Sequence, residues 1–165
     1  MRRHEREIIA WSVADAAKII GVPYRTLRRW CVDGLVALRF HPVPQKYERL
    51  RLTLDDIAEA WCIADLRRGG VSMQTIRCTI LVRLDALQER EQRRLSDFKA
   101  VFVDSADNVI GVHQGTLTEE RLTDGQTRIR IDLRGLRRRV REHPGEAVPA
   151  GWVRLAMQEE AGCLV

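Results

Sequence analysis

Three arginines and a tyrosine recur in steps of three and four residues near the start of the chain. These are Tyr24, Arg25, Arg28 and Arg29, with Leu27 between them. Such spacing places side chains on one face of a helix and leaves Leu27 for the opposite, apolar face. Guanidinium groups bind guanine edges and phosphates, and a phenol binds phosphate. We therefore predict a DNA-contacting helix, with contact residues Tyr24, Arg25, Thr26, Arg28 and Arg29.

Two short helices separated by a glycine are predicted to position these side chains. Ser12 and Asp15 form a capping-box pattern, which predicts a helix start directly after Ser12. Gly21 supplies the turn, and Pro23 suits the first turn of the next helix because its missing N–H costs nothing there. Gly34 follows the end of that second helix. This order of elements predicts a helix-turn-helix.

A β-hairpin wing is predicted after the second helix. Val36–Phe40 and Tyr47–Leu52 are short β-prone runs, separated by six residues that include two prolines. Exposed basic side chains on such a wing would contact the phosphate backbone. The candidates are Arg39, Lys46, Arg49 and Arg51.

Two further helices are predicted. Thr53 and Asp56 form a second capping box, which opens a helix that ends at Gly69-Gly70. Ser72 opens a longer helix with an apolar stripe. The later part of this helix either pairs with a second subunit or is a core helix with a solvated end. For the dimer alternative, the candidate residues are Ile80, Leu84 and Leu87.

The order of these motifs resembles the MerR-type winged-helix DNA-binding domain over residues Trp11 to Leu87. The residues that carry the resemblance are Ser12-Val13, Ala17, Gly21-Val22, Thr26-Leu27-Arg28, Gly34-Leu35-Val36, Arg51-Leu52-Thr53, Asp56-Ile57, Leu66 through Ser72, and Ile76-Arg77. The resemblance implies that Tyr24, Arg25 and Arg28 face the DNA groove, that Arg51 lies near phosphate on the wing, and that the protein forms dimers.

Metal-dependent and catalytic chemistry is not indicated. Beyond Leu95 the chain lacks the long dimer helix and the terminal cysteine pattern of the metal-sensing members. No Cys or His pair has ligand spacing, and no nucleophile or phosphate-loop motif occurs. We expect no enzyme activity, metal or other cofactor. We predict that all four cysteines, Cys31, Cys62, Cys78 and Cys163, are buried and inert; a sensor pair of Cys62 and Cys78 is the alternative.

The C-terminal part is predicted to be a small antiparallel sheet. Lys99–Val103 and Asn108–Val112 flank a turn-rich segment and predict a hairpin, and Gln126–Leu133 alternates like a third strand. The run Arg134–Arg141 is interpreted as a solvated helix start, with contact to DNA flanks or an acidic partner as the alternative. The tail, Pro149–Val165, either docks on its own sheet or orders on another protein.

These predictions define an α+β fold in three parts. Residues 1–72 are a winged helix-turn-helix, residues 73–97 a linking or dimerisation helix, and residues 98–165 a small β-rich module with a tail. The chain has 165 residues, of which 45% are hydrophobic, enough for a core.

Charge and hydropathy agree with a nucleic-acid partner. The net charge is +5, with a pI near 9.4, and all but three of the 28 basic residues are arginine. Arginine is suited to bidentate base and phosphate contacts. No apolar run has membrane-spanning length, and the N-terminus is too charged for a signal peptide. We therefore expect a cytoplasmic protein.

Three functions fit the sequence. The first, which we favour, is a homodimeric transcription regulator that binds a pseudo-palindromic DNA site. The second is an antitoxin-like autorepressor that also binds a toxin protein. The third is an excisionase-like architectural factor that bends DNA.

Overall fold

The described part of the chain consists of helices and two small antiparallel sheets, and the coarse prediction of an α+β fold is confirmed. The computed structural model describes residues 7–36, 38, 50–78, 100–104, 109–112 and 127–149. None of the helices in these ranges is long and apolar enough to cross a membrane. The elements, in chain order, are β1 (Glu7–Ser12), α1 (Val13–Ile20), α2 (Tyr24–Val32), β2 (Arg51–Thr53), α3 (Leu54–Arg68), α4 (73–78), β3 (Ala100–Asp104), β4 (Val109–Val112), β5 (Thr127–Asp132), α5 (Leu133–Arg141) and β6 (Glu146–Pro149).

The chain divides into two compact units. Among the described residues, the first unit contains those up to Ile57 and those from Arg141 onward, and the second runs from Ala58 to Val140. The first unit therefore combines elements from both ends of the described chain.

The sheet of the first unit has the order β2-β1-β6, and both neighbours run antiparallel to the central strand. Ala10 is opposite Thr53 on one side and opposite Glu146 on the other. The sequence did not predict β1 or β6 as strands. Trp11 is buried, and a Cβ built on Gly145 would lie 2.9 Å from its indole ring. Glycine at position 145 thus permits the close approach of this segment to β1.

The start of α1 is capped by Ser12, as the sequence predicted. The Asp15 N–H donates a hydrogen bond to Ser12 Oγ (3.1 Å). The Ser12 hydroxyl donates in turn to the Asp15 carboxylate (2.9 Å). Because that carboxylate accepts from a hydroxyl and not from a backbone N–H, only half of the capping box is formed.

The turn between α1 and α2 uses Gly21 in the left-handed conformation (φ 78°). Its N–H donates to the Ala17 carbonyl (2.9 Å), which ends α1. The prediction that Pro23 lies inside the first turn of α2 is wrong by one position. Pro23 has an extended ψ of 140° and precedes the helix as its N-cap. Its carbonyl accepts from the N–H groups of Thr26 and Leu27.

The second capping box is complete and buried. The Thr53 N–H donates to the Asp56 carboxylate (2.8 Å), and the Asp56 N–H donates to Thr53 Oγ1 (3.3 Å). Both side chains are buried, Asp56 fully. This reciprocal pair fixes the start of α3 directly after β2, and α3 ends before Gly69-Gly70 as predicted.

The second unit contains a sheet of order β4-β3-β5, which confirms the predicted hairpin and third strand. Phe102, Val101 and Val103 of β3 are buried. Helix α4 begins after Ser72, whose Oγ accepts from the Thr75 N–H (3.0 Å). The later part of the predicted long helix lies outside the described residues, and so do the predicted dimer residues Ile80, Leu84 and Leu87. The tail beyond Pro149 lies outside them as well.

The two capping boxes differ in burial, and we expect this difference to appear in stability. Asp56→Ala leaves the buried Thr53 N–H without its acceptor, so it should lower the free energy of unfolding by about 2 kcal/mol. Asp15→Ala removes an exposed contact and should cost about 0.5 kcal/mol. Urea unfolding followed by circular dichroism measures both. Equal losses for the two variants would contradict the buried role of Asp56.

Candidate nucleic-acid interface

Helix α2 has one buried face and one exposed, basic face. Leu27 is 0% exposed, Trp30 5% and Cys31 8%. The buried face packs inside the first unit, where α2 contacts α1. The predicted contact side chains lie outside the core: Tyr24, Arg25, Arg28 and Arg29 are exposed, and Thr26 is half-buried.

The exposed face is longer than the sequence analysis proposed. Tyr24, at the N-terminal end, is 49% exposed, and Val32, in the last position of α2, is 66% exposed. Val32 follows Arg28 by four residues and so lies on the same face. The helical spacing of the arginines also includes Val32, although an apolar side chain is not expected on an exposed face. The surface therefore ends in an apolar side chain that can contact a thymine methyl group.

The three arginines of α2 differ in their local partners. Arg29 forms an exposed ion pair with Asp33 (Nε to Oδ2, 3.6 Å). Among the described residues, no acidic side chain lies within ion-pair distance of Arg25 or Arg28. Exposed pairs of the Arg29 kind are weak. Arg25 and Arg28 therefore present the unneutralised charge of this surface.

Arg51 has a partner that the sequence did not reveal. Its Nη2 lies 2.9 Å from the Glu146 Oε2, and the two side chains are 24% and 67% exposed. Arg51 is in β2 and Glu146 in β6, so the central strand β1 separates them in the sheet. The other predicted wing residues, Arg39, Lys46 and Arg49, lie outside the described residues.

The cysteines fall into two groups. Cys31 and Cys62 are buried, as predicted, but the prediction that Cys78 is buried is wrong, because this residue, the last described one of α4, is exposed. Burial raises the pKa of Cys31 to about 12, with a smaller contribution from the Asp56 carboxylate. Burial likewise raises the pKa of Cys62, with the Asp65 and Glu59 carboxylates adding to it. Cys163 lies outside the described residues.

The structure thus brings the α2 residues onto one surface, and Arg51 lies in the sheet of the same unit. No group of three or more His, Cys, Asp or Glu side chains in the described ranges is arranged to hold a metal ion. No protein-family model matches the chain, and no curated protein matches its sequence.

Thiol alkylation should separate the buried cysteines from the exposed one. At about pH 8, a thiol with a strongly raised pKa remains protonated and unreactive. Iodoacetamide should therefore modify Cys78 in the native protein, and Cys31 and Cys62 only after unfolding in urea. Mass spectrometry of the peptides gives the alkylation rate of each cysteine separately. Modification of native Cys31 as fast as Cys78 would contradict its burial.

Proposed function

We propose that this protein is a sequence-specific DNA-binding transcription regulator of MerR-like type, which acts in the cytoplasm. In this proposal, α2 is the recognition helix and lies in the major groove. The protein binds a pseudo-palindromic operator as a homodimer, and the half-sites lie one turn of DNA (about 34 Å) or a multiple of it apart. Ile80, Leu84 and Leu87 are the proposed dimer contacts.

The exposed face of α2 is the observation that supports this proposal most directly. Arg25 and Arg28 are exposed beside Tyr24, while the opposite face is anchored by Leu27 and Trp30. A recognition helix needs both properties, because the side chains that contact base edges must be held at a fixed angle. Two guanidinium groups without an acidic partner in the described chain can each bind one guanine or two phosphate oxygens.

The arrangement of β1, β2 and α3 supports the proposed wing. Strand β2 pairs with β1 directly before the capped start of α3, and α2, which precedes the segment between them, belongs to the same unit. That segment carries Arg39, Lys46 and Arg49. As wing residues, they would contact phosphates and add affinity that does not depend on sequence.

Variants of the recognition helix test the proposal. Arg28→Gln and Arg25→Gln should each weaken binding to the preferred site by about 1 to 3 kcal/mol if the side chain pairs with guanine. The site is first selected from sheared genomic DNA. Affinity for that site and for random duplex is then titrated by fluorescence anisotropy at several salt concentrations. Arg130→Gln is a charge-matched control, since Arg130 lies over the Phe102 ring in the second unit (5.6 Å to the centroid) and not on α2.

The possible outcomes of this titration separate the functions. The proposal would be supported if the wild-type protein prefers a palindromic site and the Arg28→Gln variant loses that preference. An equal loss of affinity for every duplex would mean that Arg28 contacts phosphate and not a base. A wild-type protein without preference for any fragment would contradict a sequence-specific regulator, and a stable complex with a neighbouring gene product would then favour the antitoxin-like function.

The Arg51–Glu146 ion pair gives a second prediction. Glu146→Gln removes a mostly exposed negative charge that holds Arg51, so it should tighten binding to all duplexes by about two- to fivefold, the range expected for an exposed ion pair. Glu142→Gln, which removes an exposed acid of the same unit, is the control. The gain should disappear when Arg51→Ala is added. A gain that persists without Arg51 would show that Glu146 acts only by general charge.

A further inference from the structure

Helix α5 is the most basic helix in the described chain. Its nine residues, Leu133–Arg141, include five arginines and no acidic residue. Its apolar side chains, Leu133, Leu136 and Val140, are all buried. The N-terminus is capped by Asp132, whose Oδ1 accepts from the Arg134 N–H (3.1 Å). The cap and the buried face hold the helix, and its outer surface is almost entirely guanidinium.

Four of the five arginines form one stripe. Arg134, Arg137, Arg138 and Arg141 are spaced at i, i+3, i+4 and i+7, which places them on one face of the helix. Arg134, Arg138 and Arg141 are exposed, and Arg137 is half-buried. We call these four residues the arginine stripe.

Arg139 lies on a different side of the helix. Its guanidinium carbon is 5.6 Å from the centroid of the Trp61 ring on α3, a cation–π contact within the second unit. One arginine of α5 is therefore explained by packing. Arg138 and Arg141 have no such contact within the described residues, and both are exposed.

The stripe opposes helix formation instead of supporting it. Like charges three and four residues apart repel one another, and the stripe contains two pairs at each spacing. Arg134 also lies near the positive end of the helix dipole. A solvated helix ordinarily mixes both signs of charge, which α5 does not do. A negatively charged partner that contacts Arg138 and Arg141 would offset part of this repulsion.

We propose that the arginine stripe binds the phosphate backbone of duplex DNA. Guanidinium forks match phosphate oxygens in bidentate geometry, and the stripe contains only arginine. It spans about 10 Å of helix, close to the axial rise of three base pairs. The contact adds affinity without sequence preference.

The burial of the apolar side chains disfavours other partners. Protein interfaces depend on buried apolar and aromatic anchors. Membrane-surface helices insert apolar side chains between lipids. Since Leu133, Leu136 and Val140 are already buried, α5 has no such anchor to offer. Duplex DNA requires only the charges and hydrogen-bond donors that α5 presents.

This inference does not depend on α2 being a recognition helix, and its test separates the two. The double variant Arg138→Gln/Arg141→Gln removes two exposed charges of the stripe. Among the described residues neither has an acidic partner, and glutamine is a good helix former, so the fold should be retained. The matched control is Arg130→Gln/Arg139→Gln, which removes two charges that lie over aromatic rings. Circular dichroism and unfolding midpoints check that both variants are folded.

Binding of the full chain to the selected duplex and to a random duplex of equal length is measured across salt concentrations. We expect the stripe variant to bind both duplexes about tenfold more weakly at about 0.1 M salt, and its log–log salt slope to be shallower by about two. The control should change the slope by much less. Arg138→Lys/Arg141→Lys, which keeps the charge, should keep the slope.

Each of the other outcomes either overturns or supports the proposal. A stripe variant that binds both duplexes like the wild type, or loses no more than the control, overturns it. Polyglutamate serves as an acidic polypeptide probe. If the stripe variant binds polyglutamate more weakly than the wild type but binds both duplexes equally well, the proposal is overturned in favour of an acidic protein partner. A wild-type protein that prefers no sequence, but is weakened by the stripe variant, would contradict the function proposed for α2 and support the stripe.

Discussion

The pairing of β1 with β2 is the constraint on which the first unit depends. Its antiparallel register places Ser12 opposite Arg51 and Ala10 opposite Thr53. Ser12 caps α1 and Thr53 caps α3, so the same short ladder fixes where two helices begin. A slip of one residue would turn Leu52 from the core to the solvent and displace both caps. Since α2 is joined to α1 by a tight glycine turn, the position of its basic face follows from this register as well.

The features that the sequence predicted correctly are local ones. The Ser12 cap, the Thr53–Asp56 capping box, the Gly21 turn and the β3–β4 hairpin depend on residues that are close in sequence, so their chemistry can be recognised without the fold. Strands β1 and β6 were missed for the opposite reason. Glu7–Ser12 has no clear apolar alternation, and the four residues of β6 have no strand pattern of their own. Each becomes a strand through a partner far away in the chain.

In the candidate site, too, only the local features could be predicted from the sequence. Helical spacing identified the exposed side of α2, because Leu27 had to face the core. The Arg51–Glu146 pair was not predictable, since β6 had not been recognised. The exposure of Cys78 was missed because its burial was inferred from the usual preference of cysteine and not from its place on α4. Arg39, Lys46, Arg49 and the dimer residues stay predictions, as they lie outside the described part of the chain.

Local partners, more than the number of arginines, determine which of them can contact phosphate. Arg51 is held by Glu146, Arg29 lies beside Asp33, and Arg139 lies over Trp61. Each of these contacts competes with a phosphate for the same guanidinium. Within the described residues, Arg25 and Arg28 on α2 and Arg138 and Arg141 on α5 have no such competitor. In the proposed DNA complex, the release of counterions from such guanidinium groups would favour association. Within the described residues, the arginines without a competing partner therefore lie on two helices, although arginine is spread along the whole sequence.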